Sequence, residues 1–203
     1  MADTDVHEAT PQDIRRGRRI ALLLFLVGFG PIVVATIMFY TGWLNPSDRT
    51  NKGILIQPPE PVASMGLETA EGRPFESEFG PEVSGSHWTL LITAADACAD
   101  ACQEMLYLAR QVNTALGKNQ NRVKRAAWLE QPPADLSDYP EMRLLSLPEP
   151  ASADWPRGNG PFDAPRAYLV DPFGNVMMQY GPDHSGKDML EDIEHLMKIS
   201  QLG

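Results

Sequence analysis

Cysteine and positive charge are both scarce in this chain. Its 203 residues include two cysteines, too few for a disulfide scaffold or a four-thiolate zinc site, so Cys98 and Cys102 work as one pair. Seventeen Lys and Arg stand against 27 Asp and Glu, a formal charge of −10. Nucleic-acid binding needs a clustered positive field that displaces counterions, and this composition argues against it. There is no P-loop, no G-x-G-x-x-G after a strand, no H-E-x-x-H and no G-x-S-x-G. No repeat or low-complexity tract stands out. Hydrophobic residues make up 43% of the chain, too many for a disordered one.

One long uncharged run is present. Ile20 to Leu44 holds 25 residues without a charge, enough to cross a hydrocarbon core of about 30 Å as a helix. Gly28, Gly30 and Pro31 are tolerated in such a helix, and Tyr40 and Trp43 suit its far interface. Arg15, Arg16, Arg18 and Arg19 stand just before the run, which predicts a cytoplasmic N-terminus and an exported remainder, periplasmic in a bacterium with the anchor in the inner membrane. Residues 1–44 carry four basic and four acidic groups, so the −10 belongs to the exported part.

The expected organisation is therefore a cytoplasmic tail over 1–19, a transmembrane helix over 20–44, a Pro/Gly-rich linker and lead-in over 45–86, and one α/β domain over 87–203. Trp88–Thr93 is a short β-prone run, and Ala94–Leu116 follows with Met105, Leu108, Ala109, Val112 and Leu116 at helical spacing and Gly117 as a C-cap. Arg122–Leu129 and Arg143–Leu147 are candidate strands, with a short helix predicted near Asp135–Met142. Arg166–Val170 and Val176–Tyr180 flank a Gly174 turn as a hairpin. Lys187–Ser200 is an amphipathic helix with Met189, Leu190, Ile193, Leu196 and Met197 on its apolar stripe and Asp192 on its polar side. The order β-α-β-(α)-β-β-α gives a three-layer α/β sandwich of the thioredoxin-like kind.

Cys98 and Cys102 fall where the first strand hands over to the first helix, a place where backbone N–H groups and the helix dipole favour a thiolate. A spacing of four lets the sulfurs close a disulfide if Cys98 lies just outside the regular helix, or converge as two soft ligands for copper(I) or zinc. A plain structural disulfide is the third possibility. It would close so small a loop that it constrains little of the unfolded chain.

The strand with Trp88, the Cys98-Ala99-Asp100-Ala101-Cys102 segment, the long helix ending in Leu-Gly and the later Tyr168-Leu169-Val170-Asp171-Pro172-Phe173-Gly174 resemble the Sco/SenC family of cytochrome oxidase copper-insertion factors. That resemblance implies a membrane-anchored thioredoxin-like domain, copper(I) held by Cys98 and Cys102, or disulfide exchange with oxidase subunit II or another copper or thiol assembly factor. Two departures stand out. Asp163 occupies the position of the family's copper-ligand histidine, and a hard carboxylate is a poor copper(I) ligand. Pro165 stands three residues before Tyr168, where thioredoxin and TlpA-like oxidoreductases carry a cis-proline beside the reactive sulfur.

The leading expectation is thus thiol-disulfide exchange, an oxidoreductase activity that requires no cofactor. Cys98 attacks, Cys102 resolves, Pro165 and Asp163 shape the partner groove and Asp100 tunes the thiols. A copper(I) carrier would draw a third ligand from elsewhere, with His184 the best placed. His87 and His195 read as surface imidazoles, His7 lies before the membrane span, and Met177 and Met178 read as core filling. The remaining alternative is a non-catalytic assembly subunit with a permanent disulfide.

Overall fold

The computed structural model describes residues 11–41, 50–85, 87–148, 162 and 164–200. It divides into two compact units, residues 1–49 and residues 50–203. In the first, helix α1 runs Pro11–Thr41 with Pro31 inside it, and its Ile14–Thr41 stretch is long and apolar enough to cross a membrane. The described helix therefore begins within residues 1–19, ahead of the uncharged run. Arginine has good helix propensity, so the four arginines extend the helix instead of preceding it. Thr36 and Thr41 donate their hydroxyls to the carbonyls of Ile32 and Ile37, which keeps both side chains satisfied without water.

The second unit is built on one seven-stranded sheet in the order β1-β7-β6-β3-β4-β5-β2. The strands are β1 Ile54–Pro61, β2 Glu68–Thr69, β3 Trp88–Ala97, β4 Val123–Gln131, β5 Met142–Ser146, β6 Arg166–Val170 and β7 Asn175–Tyr180. β3, β4 and β5 run parallel, and the remaining pairings are antiparallel. Both edges are blunted: β2 has two residues, and β1 carries Pro58, Pro59 and Pro61 with a register irregularity between Leu55 and Glu60.

Period-two alternation sorts the side chains of the central strands onto two faces. Leu90, Ile92, Ala127, Leu169 and Tyr180 face one core, closed by helix α2, Asp100–Ala115, and helix α3, Gly186–Ile199. From α2 come Cys102, Met105, Leu106, Ala109 and Val112, and from α3 come Met189, Ile193 and Met197, each set at helical spacing. α3 opens on a capping box, in which the Ser185 hydroxyl accepts from the Asp188 N–H and the Asp188 carboxylate accepts from the Ser185 N–H. Gly117 takes φ +54°, the left-handed value expected after a helix end.

The opposite face holds Leu91, Ala126, Trp128, Leu145, Tyr168, Val170 and Val176. It is covered by the lead-in, through Ile56, Val62, Met65, Leu67, Phe75 and Phe79, with 3₁₀ turns at Val62–Met65 and Phe75–Glu78. The thioredoxin-like α/β class holds, and irregular chain builds the third layer. From Thr50 onward the Pro/Gly-rich lead-in belongs to the folded unit and supplies two strands and half of one core. The short helix expected near Asp135–Met142 is absent. The Asp135 carboxylate accepts the Ser137 N–H and Tyr139 N–H bonds the Leu136 carbonyl, so turns take its place.

One polar residue sits on the buried stripe of α3. Asp192, expected on the solvent side, is 3% exposed. Its carboxylate accepts the N–H groups of Lys52 and Gly53, at 2.9 and 2.8 Å, and the Tyr180 hydroxyl at 3.2 Å. Burial, then the neighbouring carboxylate, push the Tyr180 hydroxyl far above its ordinary pKa, so it remains a donor. A Cβ at Gly53 would lie 2.3 Å from the Tyr180 ring, so glycine alone fits where the chain enters the domain.

Candidate functional site

Cys98 and Cys102 are joined as a disulfide with Cα atoms 5.0 Å apart. β3 loses register with β4 between Ala94 and Ala97, an irregularity that bends the strand just before the first cysteine. Helix α2 begins at Asp100, so Cys98 stands outside the helix and Cys102 lies in its first turn. Cys102 is 1% exposed and belongs to the helical-side core, whereas Cys98 is half-buried against the edge of that core. The two sulfurs are thus unequal. One is sealed by packing and the other is partly exposed.

The N-cap residue Ala99 supplies no side-chain acceptor to the first turn of α2. No N-cap side chain therefore screens the partial positive charge of that helix end from Cys102. Asp100, exposed, is the acidic residue of the first turn. Gln103, which the spacing of the pair does not single out, donates its side-chain amide to the Cys98 carbonyl at 3.2 Å and ties the loop to the helix.

The proline loop lies at the same end of the sheet. Thr93 on β3 pairs with Arg166 on β6, so Pro165 precedes β6 beside the C-terminal part of β3. Among the described residues the cis bond is Gln57–Pro58, and Ala164–Pro165 is trans. The loop therefore lacks the cis-proline geometry of the oxidoreductases it was compared with. Asp163 lies outside the described residues. Phe162 was not anticipated. Its ring packs on Trp128 at 4.3 Å and is 9% exposed, which anchors the chain just ahead of Pro165. An aromatic three residues before a proline is a weak sequence signal, and only the sheet register gives it meaning.

His184 is not brought into this site. Its Nδ1 accepts the Gly181 N–H at 3.1 Å beside Asp183, and its ring meets Tyr180 edge-on. Among the described residues no three His, Cys, Asp or Glu side chains gather as a metal site, so His184 does not complete a ligand set with Cys98 and Cys102. His195 is exposed, while His87 is half-buried rather than freely solvated. Burial holds the His87 imidazole below its usual pKa, and Arg143 and Lys124 add to the effect. Met178 is buried, and Met177 packs partly buried on the same core.

Residues 88–200 match the family model described as transmembrane-like, thioredoxin-like, C-terminal domain, and residues 11–42 match the transmembrane-like N-terminal domain. Yeast Sco1 superposes with a TM-score of 0.50 at 20% identity, covering 75% of this chain and 100% of its own. Arabidopsis thaliana ScoI, solved with copper bound, gives 0.48 at 15% identity over 70% and 98%. The exposed lipoprotein thioredoxin Etrx1 of Streptococcus pneumoniae gives 0.40 at 14% over 64% and 96%. No curated protein matches. The resemblance to Sco/SenC proteins is a likeness of fold, and the α1 match agrees with a membrane anchor. The first of the two family models spans more than half of the sequence, and the chain belongs to the transmembrane-like, thioredoxin-like family.

Proposed function

We propose that this protein is a membrane-anchored thiol-disulfide exchange factor in which Cys98 is the attacked and attacking sulfur and Cys102 the resolving one. The observation that carries the reading is the asymmetry of the pair: a half-buried Cys98 before α2 and a sealed Cys102 within it. From the oxidised state, a thiolate of a partner dithiol attacks Cys98 Sγ, the Cys98–Cys102 bond breaks, and Cys102 leaves as a thiolate near the uncapped helix end. The second partner thiol then attacks the mixed disulfide and releases Cys98. The partner is oxidised by two electrons and the pair reduced. In reverse, reduced Cys98 attacks a partner disulfide and Cys102 resolves the intermediate.

The Phe162 anchor and Pro165 form one wall of the docking groove in this reading, and Asp100 adjusts the thiols. The arginine cluster of α1 favours a cytoplasmic N-terminus and a periplasmic domain in a bacterial inner membrane, an oxidising place where the pair can be recharged. Sco-type relatives of this fold suggest that the work is assembly of a haem-copper oxidase, with subunit II or another copper or thiol factor as partner. A copper(I) carrier would need the pair reduced and, among the described residues, would have two sulfurs and no third ligand from His, Cys, Asp or Glu.

The test uses the full-length protein in detergent, equilibrated in glutathione buffers of graded potential. Reversible exchange with a potential above about −300 mV is expected, and a value below that marks a permanent crosslink and defeats the proposal. Anaerobic copper(I) titration of the reduced protein separates the carrier. Stoichiometric binding that survives His184→Ala, together with failure to exchange, would favour it.

A further inference from the structure

The end of the sheet opposite the disulfide carries a different chemistry. In a chain with ten more acids than bases, the 25 residues from Met105 to Leu129 contain Arg110, Lys118, Arg122, Lys124 and Arg125 and no Asp or Glu. The end of α2, the 3₁₀ segment Gly117–Arg122 and the starts of β4 and β5 surround a cavity of about 360 Å³. Asn113, Gln120, Lys124, Arg125, Glu141 and Arg143 are among its lining residues.

Arg125 is 5% exposed. Its Nη2 donates to the Pro140 carbonyl, while its Nη1 is buried without a partner among the described residues. Arg143 gives Nη1 to the Glu78 carboxylate and lies over the Phe75 ring, and its Nε and Nη2 are buried without a hydrogen-bond partner among the described residues. Glu141 lines the same cavity and attracts Arg125 without an ion pair among the described residues, and with Glu78 on Arg143 the three cations exceed the two carboxylates by one. A guanidinium cannot shed its charge as a buried lysine can, so an arginine buried without a carboxylate costs stability that an incoming anion would return. Asn113 is committed to the wall, its amide donating to the Gln120 and Val123 carbonyls, while the Gln120 side chain adds a polar group of the kind that fixes orientation in small-molecule sites, and the volume suits a small molecule.

We propose that this cavity is a binding site for a small oxyanion, a carboxylate or phosphate group, gripped by Arg125 and Arg143 with Lys124 at the mouth. Forked guanidinium donors match either group. The experiment is calorimetric titration of the full-length protein in detergent with inorganic phosphate and, separately, with succinate, against potassium chloride at equal ionic strength. One of the two anions is expected to bind one-to-one and to bind at least about tenfold more tightly than chloride. Lys124 is exposed and outside both cores, and Lys124→Gln is expected to weaken that binding about fivefold while leaving the fold intact. Arg125→Gln is expected to abolish it, and Arg143→Gln serves the same purpose if Arg125→Gln does not fold. Binding no tighter than chloride for both anions, or binding unchanged in Lys124→Gln and Arg143→Gln, would overturn the assignment and leave the unpartnered donors to water.

Discussion

The two faces of the sheet are covered by chain of different kinds. On one, α2 and α3 bury Met105, Leu106, Ala109, Met189 and Ile193 at helical spacing. On the other, a proline-rich stretch with two 3₁₀ turns buries Val62, Met65, Leu67, Phe75 and Phe79 to the same degree. A core needs apolar area removed from water, not periodicity, so irregular chain can close a face as completely as a helix. The consequence for function is a division of labour. The helical face fixes Cys102, while the irregular face fixes Trp128 and Phe162, and through them the loop that leads to Pro165.

The comparison breaks most directly at Phe75, 1% exposed, against Leu106, fully buried. Phe75→Ala is expected to cost about 3–5 kcal/mol and Leu106→Ala about 2–5, read as shifts in the urea midpoint of the full-length protein. A linker residue would cost under about 0.5 kcal/mol, and such a result at Phe75 would remove the second face from the fold.

A smaller effect is expected where the lead-in meets the helical face. Asp192→Ala strands the Lys52 and Gly53 N–H groups and the Tyr180 hydroxyl, and a loss of about 2–3 kcal/mol is expected in the same assay. Tyr180→Phe, which removes one of those donors and keeps the ring, should cost about 1 kcal/mol.

The smallest effect concerns pH and belongs to the irregular face alone. His87 lies against Phe79, with Arg143, Lys124 and Glu78 as its charged neighbours, and burial lowers its pKa in the folded protein. The unfolded chain then binds the proton more readily, so the contribution of His87 is full above about pH 6.5 and is lost as pH falls below it. Denaturation between pH 5 and 8 should show that decline in the wild type and a flatter profile in His87→Phe.

Legibility followed the same division. The cysteine pair, Gly117 and the stripes of α2 and α3 are local patterns legible in the sequence, whereas the first helix, expected from Ala94, starts at Asp100 because β3 runs on to Ala97. An ordered lead-in was legible, but its two strands and its share of a core were not, because its apolar residues follow no period and its prolines signal a linker. Asp192 was assigned to the polar side because its role depends on Lys52, 140 residues away in sequence. The trans Ala164–Pro165 bond and the tie between His184 and Gly181 are likewise set by tertiary context, as is the packing of Phe162. Spacing alone made His184 a candidate ligand and gave Phe162 no weight.

The unequal pair is tested most directly by trapping. In Cys102→Ser the attacking sulfur has no resolving partner, so a mixed disulfide through Cys98 should accumulate in membranes and appear as a slower band on non-reducing electrophoresis, lost on adding a thiol. The wild type and Cys98→Ser should show none. A trapped species in Cys98→Ser instead, or in neither variant, would contradict the assignment of Cys98 as the exchanging sulfur.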